Sequence, residues 1–329
     1  MSKDMVADVS VIIVNYGTAD LALEAAASVL GKADRVRDIH IVDNASPTPD
    51  AEVIAQAVVA RGWGPRVKLH AEGTNHGFGR GNNLVIAGLA AEASPPDKVF
   101  LLNPDARLDN AVVTILAKFL DDHPKAGAAG ARIEKPGQGA VTAAFRFPGL
   151  ISTFSDAVSF GPLSRLCARW QVPLAPDLAT ARVDWVSGAA VMFRMAALRD
   201  AGLFDPKFFL YYEEVDLMHQ LARKGWETWH VAEARAIHAE GAATGVQSGR
   251  PERRRLPAYW YHSWQYYLRK NHGRPIALLA CLAWAGGALL NHALSRLRGK
   301  DPAAPLHLFA DLWAYAVRPL LGLKAGPDA

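Results

Sequence analysis

Apolar and polar positions along the chain follow two alternating rhythms. Val9–Val14 is a β-branched apolar run interrupted only by Ser10, the pattern of a strand covered on both faces. Ala19–Leu30 follows at helical spacing, with Thr18 as its N-cap and Gly31 as its stop. The pattern then predicts a strand at Ile39–Val42 ending in Asp43-Asn44, a helix over Ala51–Ala60, and a strand at Val67–His70. A helix over Asn82–Ala93, opened by "NHGFGRGNN", a strand at Val99–Leu102 and a helix over Ala111–Leu120 come next. Such alternation predicts an α/β fold, a mostly parallel central sheet with flanking helices. From about Ala128 to Val186 the pattern loosens into loops and short strands. Residues 184–198 read as strand then helix, 208–226 as an aromatic run and a helix stopped at Gly225, and 227–241 as strand, turn and short strand. The composition shifts near residue 246, so two regions are expected: 1–245, and a helical appendage over 246–329.

With 329 residues, half of them hydrophobic, the chain affords a sizeable core. Its two cysteines, Cys167 and Cys281, have no spacing that suggests a disulfide framework or a zinc site, and a reducing compartment fits them. The first apolar run is too short for a secretory signal. The net charge of +4 hides an asymmetry: Arg250 to Lys300 holds ten Lys/Arg and one acid, Glu252. That region suits phosphates, nucleic acid or an anionic bilayer.

Ligands of open parallel sheets lie beyond the carboxyl ends of strands. Two polar clusters fall at such ends, Asp43-Asn44 and Asn103-Pro104-Asp105. Either acid alone reads equally well as a helix or turn cap; two in one sheet favour a ligand. A dinucleotide fingerprint is absent from "NYGTAD", and no Gly-Lys-Ser/Thr phosphate loop occurs, which disfavours nicotinamide enzymes and P-loop NTPases. "HGFGRGNN" reads as a backbone-rich loop entering a helix, where amides and Arg80 attract anions, or as a tight turn needing positive φ. In the helix after "FFLYY", Glu214 shares a face with Leu217, Met218 and Leu221, whereas Glu213, Asp216, Gln220 and Arg223 fall on a polar face. A carboxylate aimed at apolar surroundings has a raised pKa and can act as a general base; the alternative is that these acids complement the helix dipole. His238 closes a short strand, and "HAE" lacks the P-C-x-x-C partner of a zinc deaminase.

The strings "VSVIIVNYGTADL", "VDNAS", "NHGFGRGNN", "LLNPDARL", "SGAAVMFR", "GLFDPKFFLYYEEVDL" and "AIHAEG" together resemble the inverting family 2 glycosyltransferases, in their bacterial rhamnosyltransferase-like branch, over roughly residues 8–245. The resemblance implies a GT-A fold for a catalytic domain over 1–245 and a nucleotide-diphosphate-sugar donor. "NPD" matches the family's D-x-D motif, with Asp105 as metal-binding acid and Asn103 in place of the first acid. His238 matches a further metal ligand, for Mn²⁺ or Mg²⁺, and "YEE" places Glu214 at the catalytic base, where the family carries Asp. Asn15, Asp43 and Asn44 are then expected at the nucleoside, Gly79, Arg80 and Asn82 around the donor's phosphates, and Glu213, Asp216 and Trp185 as secondary, acceptor-side candidates. The expected reaction moves a sugar, rhamnose from dTDP-rhamnose by resemblance, to a cell-surface glycan or polyprenyl-linked acceptor. A catalytically silent nucleotide-sugar-binding scaffold is the rival reading that Asn103 and Glu214 keep open.

Between Arg274 and Arg296 there is no Asp, Glu, Lys or Arg, and "YWYHSWQYYLRKNHG" upstream mixes aromatic and basic residues as membrane interfaces do. The apolar core is borderline in length for a spanning helix. A membrane-associated appendage at the cytoplasmic face is expected, against a helical hairpin packed on protein; nucleic acid is not expected, because the arginines flank apolar stretches.

Overall fold

The computed structural model describes residues 8–31, 36–239 and 253–326. The apolar runs become strands: β1 (Val9–Asn15) and β2 (Asp38–Asp43) are buried at every position, β3 (Val67–Ala71) lies at the sheet edge, and β4 (Lys98–Leu102) is again wholly buried. Helices α1 (Ala19–Gly31), α2 (Asp50–Ala60) and α3 (Gly77–Ala90) connect them, giving the parallel order β3-β2-β1-β4. Strand β5 (Ala106–Leu108) and helix α4 (Val112–Asp122) follow. Val11, Ile13, Ile39, Ile41 and Phe100 join Leu23 and Val29 of α1 and Leu116 of α4 in one core. On the opposite face Gly81 of α3 abuts Val14.

Strand β6 (Ala126–Lys135), ten residues long, runs into the stretch whose pattern predicts only loops and short strands. Its first six residues, AGAAGA, lack β-branched side chains for a packing reason: a Cβ at Gly130 would lie 2.6 Å from the Val186 side chain, and one at Gly127 2.9 Å from Trp226. Strands β7 (Gly139–Val141) and β8 (Ala144–Phe145) follow. After two helices described below come β9 (Ala181–Val183), β10 (Trp185–Val186) and β11 (Ala190–Arg194). The predicted strand, turn and short strand after residue 226 form instead one strand, β12 (Glu227–His238), whose pairing with β6 shifts register at Glu227–Thr228 and again between Val231 and Arg235. A bulge there mimics a turn in the sequence. The sheet is mixed, in the order β3-β2-β1-β4-β11-β6-β12-β5, with β11 antiparallel to both its neighbours and β12 parallel to β6.

Compactness divides the chain into two units. The first comprises Met1–Phe145, Leu174–Phe209 and Glu213–Ser248; the second comprises Arg146–Pro173, Leu210–Tyr212 and Gly249–Ala329. The second therefore takes in two segments that interrupt residues 1–245. It is built from α5 (Leu150–Val158), α6 (Gly161–Leu166) and, after α7 (Met195–Ala201) and α8 (Glu213–Arg223) of the first unit, α9 (Ala258–His272), α10 (Arg274–Leu297), α11 (Leu308–Leu312) and α12 (Arg318–Leu320). Tyr261, Trp264 and Tyr267 of α9 are buried: Trp284 stacks against Tyr261 and meets Trp260 and Trp264 edge-on, and Tyr267 lies 5.5 Å from Tyr212. These aromatics are a core and not the membrane belt their composition predicts. Cys167 and Cys281 are free and buried.

Candidate active site

The turn that ends β4 is closed by the Ala106 N–H donating to the Asn103 carbonyl at 3.1 Å, with Pro104 at the second position, where its fixed φ suits a turn. The three-residue β5 then pairs antiparallel with the end of β12, setting Ala106 opposite His238, and the Ala239 N–H donates to the Asp105 carbonyl at 3.1 Å. Register alone thus brings together residues 133 positions apart: His238 Nε2 lies 2.9 Å from Asp105 Oδ1, and Asn103 Nδ2 lies 3.4 Å from the same nitrogen. Both side chains of the pair are largely buried, at 13% and 7% exposure.

Strands β1, β2, β4 and β12 share one direction, so Asn15, Asp43, Asn103 and His238 all stand at one edge of the sheet. The side chains of Asn15 and Asp43 are joined there. Asn15 Nδ2 donates to Asp43 Oδ1 at 3.0 Å and to Asp50 Oδ2 at 2.8 Å, and the Ser46 hydroxyl donates to Asp43. Asp50, which the pattern of the sequence leaves unremarked, also accepts the Ala19 N–H at 3.0 Å and so caps α1 from another helix, the place predicted for Thr18. Burial alone would raise the Asp50 carboxyl; hydrogen bonds from Thr48, Asn15 and Ala19 outweigh it and hold the group below its ordinary value. Its signal was the T-x-D spacing at 48–50 just ahead of an apolar helix. Asn44 fixes the next loop: its Nδ2 donates to Asn75 Oδ1 at 3.0 Å and its Oδ1 accepts the His76 N–H at 3.0 Å.

Helix α3 starts at Gly77, five residues before the predicted start, because the glycines of "GFGRGNN" are needed for close approach inside a helix. At Gly77, with φ +75°, a Cβ would fall 1.8 Å from the Phe209 carbonyl oxygen. At Gly79 it would meet Phe204 Cβ at 3.0 Å and Glu213 Cβ at 3.3 Å. Asn82 is buried, donates to the Phe78 carbonyl at 3.0 Å and leaves its Oδ1 unpartnered, whereas Arg80 is exposed, 3.2 Å from His76 Nδ1.

Gly79 therefore admits the start of α8. Glu213 and Asp216, expected on a polar face, are buried at 3% and 1% exposure, so that helix is covered on more than its apolar side. Asp216 accepts from Gln220 at 3.3 Å. Glu213 Oε2 and Glu214 Oε2 are both buried without a hydrogen-bond partner. Burial, and then the neighbouring Glu214, pushes the Glu213 carboxyl well up, and burial pushes Glu214 up as well. Unpartnered buried acids are costly and mark places where a ligand or proton completes the site. Trp185 stacks face to face on Phe145, ring centroids 4.0 Å apart, in the small β8–β10 pair.

Among the described residues no group of three or more His, Cys, Asp or Glu converges as a metal cage. The Asp105–His238 pair nevertheless fits a divalent ion. Neighbouring ligands of an octahedral ion about 2.1 Å from the metal are roughly 3.0 Å apart, close to the spacing found, and hard cations at phosphate sites commonly take only one or two protein ligands.

The mixed α/β sheet that carries this acid–imidazole pair at its carboxyl edge has the GT-A glycosyltransferase fold, as comparisons with known proteins show. Residues 10–156 match the family described as glycosyl transferase family 2. The chain is 30% identical over 244 residues to the N-acetylglucosaminyl-diphospho-decaprenol L-rhamnosyltransferase of Mycobacterium tuberculosis, covering 71% of this chain and 77% of that protein. Solved structures with the same fold include GalNAc-T7 with UDP, GalNAc and Mn²⁺ (TM-score 0.58, 12% identity, 97% of this chain and 57% of that one). The mannosyltransferase PcManGT of Pyrobaculum calidifontis with GDP-Man and Mn²⁺ is another (TM-score 0.54, 16% identity, 96% and 82%). The chain belongs to glycosyl transferase family 2, as a rhamnosyltransferase-like member.

Proposed function

We propose that this glycosyltransferase is metal-dependent and inverting, and moves rhamnose from dTDP-rhamnose to a hydroxyl of a polyprenyl-linked or cell-surface glycan at the cytoplasmic face of the membrane. The observation that carries the reading is the 2.9 Å approach of His238 Nε2 to Asp105 Oδ1 at the carboxyl edge of the sheet. The rhamnosyl donor and lipid-linked acceptor are favoured by the activity for which the mycobacterial relative is named.

Asp105 and His238 would hold Mn²⁺ or Mg²⁺, which offsets the charge developing on a departing nucleoside diphosphate. Asn103 would donate a hydrogen bond in the same place. Asn15, Asp43 and Asn44 form the nucleoside side, the first two as one hydrogen-bonded unit and Asn44 by fixing the loop into α3. The backbone at Gly79, the Arg80 guanidinium and Asn82 serve the diphosphate. Glu214 takes the proton of the acceptor hydroxyl as its oxygen bonds to the anomeric carbon and the bond to the diphosphate breaks on the opposite face. A carboxyl raised by burial is a stronger base once ionised, which suits that task. Glu213, Asp216 and Trp185 frame the acceptor side.

The test is turnover of a panel of nucleotide sugars with a polyprenyl-diphosphate-linked acceptor, with Mn²⁺ or Mg²⁺ and with chelator, read by mass spectrometry. Transfer that needs the metal and falls at least about 100-fold in Asp105→Ala and Glu214→Gln, at unchanged melting temperature, is expected. Turnover with no donor, or variants as active as the parent, would remove the proposal in favour of a silent scaffold.

A further inference from the structure

We propose that the outer face of α10 lies in the plane of an anionic lipid surface. This deepens the membrane location proposed above, and it is read without donor or acceptor, so either reading can fail alone. Leu279, Leu282, Gly286, Leu289, Leu290 and Leu297 are all exposed, Leu282 by 68% and Leu297 by 84%. At 100° per residue they fall within an arc of about 100°, a stripe running roughly 27 Å along the helix. An exposed apolar stripe of that length on a folded protein marks an interaction surface.

Charge selects the occupant. The stripe is bracketed by Arg274 at one end and by Arg296, Arg298 and Lys300 at the other. Residues 253–326 hold eleven Lys/Arg against two acids, of which Asp311 is buried and paired in two hydrogen bonds with Arg255. A cavity of about 140 Å³ lined by Arg253, His292 and His307, beside the exposed Phe309, adds a cationic recess next to the helix. A second copy docked here would set these cations against their own kind in either helix orientation; lipid phosphates complement them.

The other face of α10 argues for lying on the surface against spanning. The helix is apolar enough to cross a membrane, with a mean hydropathy of 1.6 over an 18-residue stretch, yet 39% of that stretch is buried in protein. Gly287 lets α5 approach so closely that a Cβ would lie 2.7 Å from Ala157, and the buried Asn291 donates to the Val158 carbonyl at 2.9 Å. With one face tied to protein by polar bonds, α10 offers lipid only its other, apolar face, flanked by basic residues, and so is held in the interface and not across it.

The experiment is sedimentation of the full-length protein with vesicles of equal parts phosphatidylglycerol and phosphatidylcholine, and with phosphatidylcholine alone. Binding to the anionic vesicles, weakened by salt, is expected, with a fall of about 100-fold in L282E/L289E at unchanged circular dichroism and melting temperature. Release by alkaline carbonate is expected too. No binding by the parent, equal binding by the variant, resistance to carbonate, or a dimer in solution that the variant dissociates would each overturn the proposal.

Discussion

The same substitution at two glycines of α3 should have opposite signs. At Gly79 an added methyl meets Phe204 Cβ at 3.0 Å, Phe204 Cγ at 3.2 Å and Glu213 Cβ at 3.3 Å. Phe204 cannot yield readily, because its backbone N–H and carbonyl are both held by the Asn83 side chain, at 3.1 and 2.8 Å. Overpacking costs about 1–3 kcal/mol, and the helix gains about 0.5–1 kcal/mol from alanine, so Gly79→Ala should destabilise by about 0.5–2 kcal/mol net. Gly88 lies in the same helix with nothing within 4 Å of its would-be methyl and no positive φ, so Gly88→Ala should stabilise by about 0.5–1 kcal/mol. In thermal melts the first variant falls by roughly 1–8 °C and the second rises by roughly 1–4 °C. Transfer by Gly79→Ala also slows by about 10- to 100-fold, because the first residue of α8 moves with its carboxylate. A Gly79→Ala protein melting level with or above Gly88→Ala would refute the close-approach reading of the glycine-rich segment.

Two further outcomes concern buried polar groups. The Glu213 carboxyl is raised in the folded protein, so the fold retains its proton to higher pH than the unfolded chain, and stability falls as pH rises from the ordinary carboxylate value toward the folded one. Glu213→Gln lacks that penalty and should lose less melting temperature between pH 5 and about 8; parallel curves for the two proteins would contradict it. In the second unit, Asn291 donates to the Val158 carbonyl at 2.9 Å and accepts the Ala303 N–H at 2.8 Å, so Asn291→Ala strands two groups and should cost about 2–4 kcal/mol in urea unfolding. A loss under about 0.5 kcal/mol would mean that water replaces both bonds.

What the sequence made legible was whatever local periodicity controls. The runs at 9–14, 39–42 and 99–102 fall inside β1, β2 and β4 because strands buried on both faces need mostly apolar residues, and 67–70 falls inside the partly exposed edge strand β3. β6 was hidden because Val186 and Trp226 press on its glycines and forbid the bulky residues that advertise a strand. The start of α3 was hidden by glycines that neighbours require. Asp105 and His238 were legible as types of residue, through resemblance, but their approach depends on the pairing of a three-residue strand with a partner more than a hundred positions away. Glu214 was found by its helical face; the burial of Glu213 and Asp216 was not, because periodicity describes one helix and says nothing of what covers its polar side.

Leu210–Tyr212 belongs with the C-terminal helices, although Glu213 follows it directly in the first unit. Ser263 of α9 donates to the Leu210 carbonyl at 2.9 Å, Tyr211 stacks on Tyr259, and Tyr211 and Tyr212 take positive φ angles of 68° and 67°, rare for such bulky residues. The tether to the two acids is thus short, covalent and wound against its natural hand. Trimming the chain after its last strand would remove the partners that hold Leu210 and Tyr211, let those tyrosines relax, and loosen the first turn of α8 that carries Glu213 and Glu214.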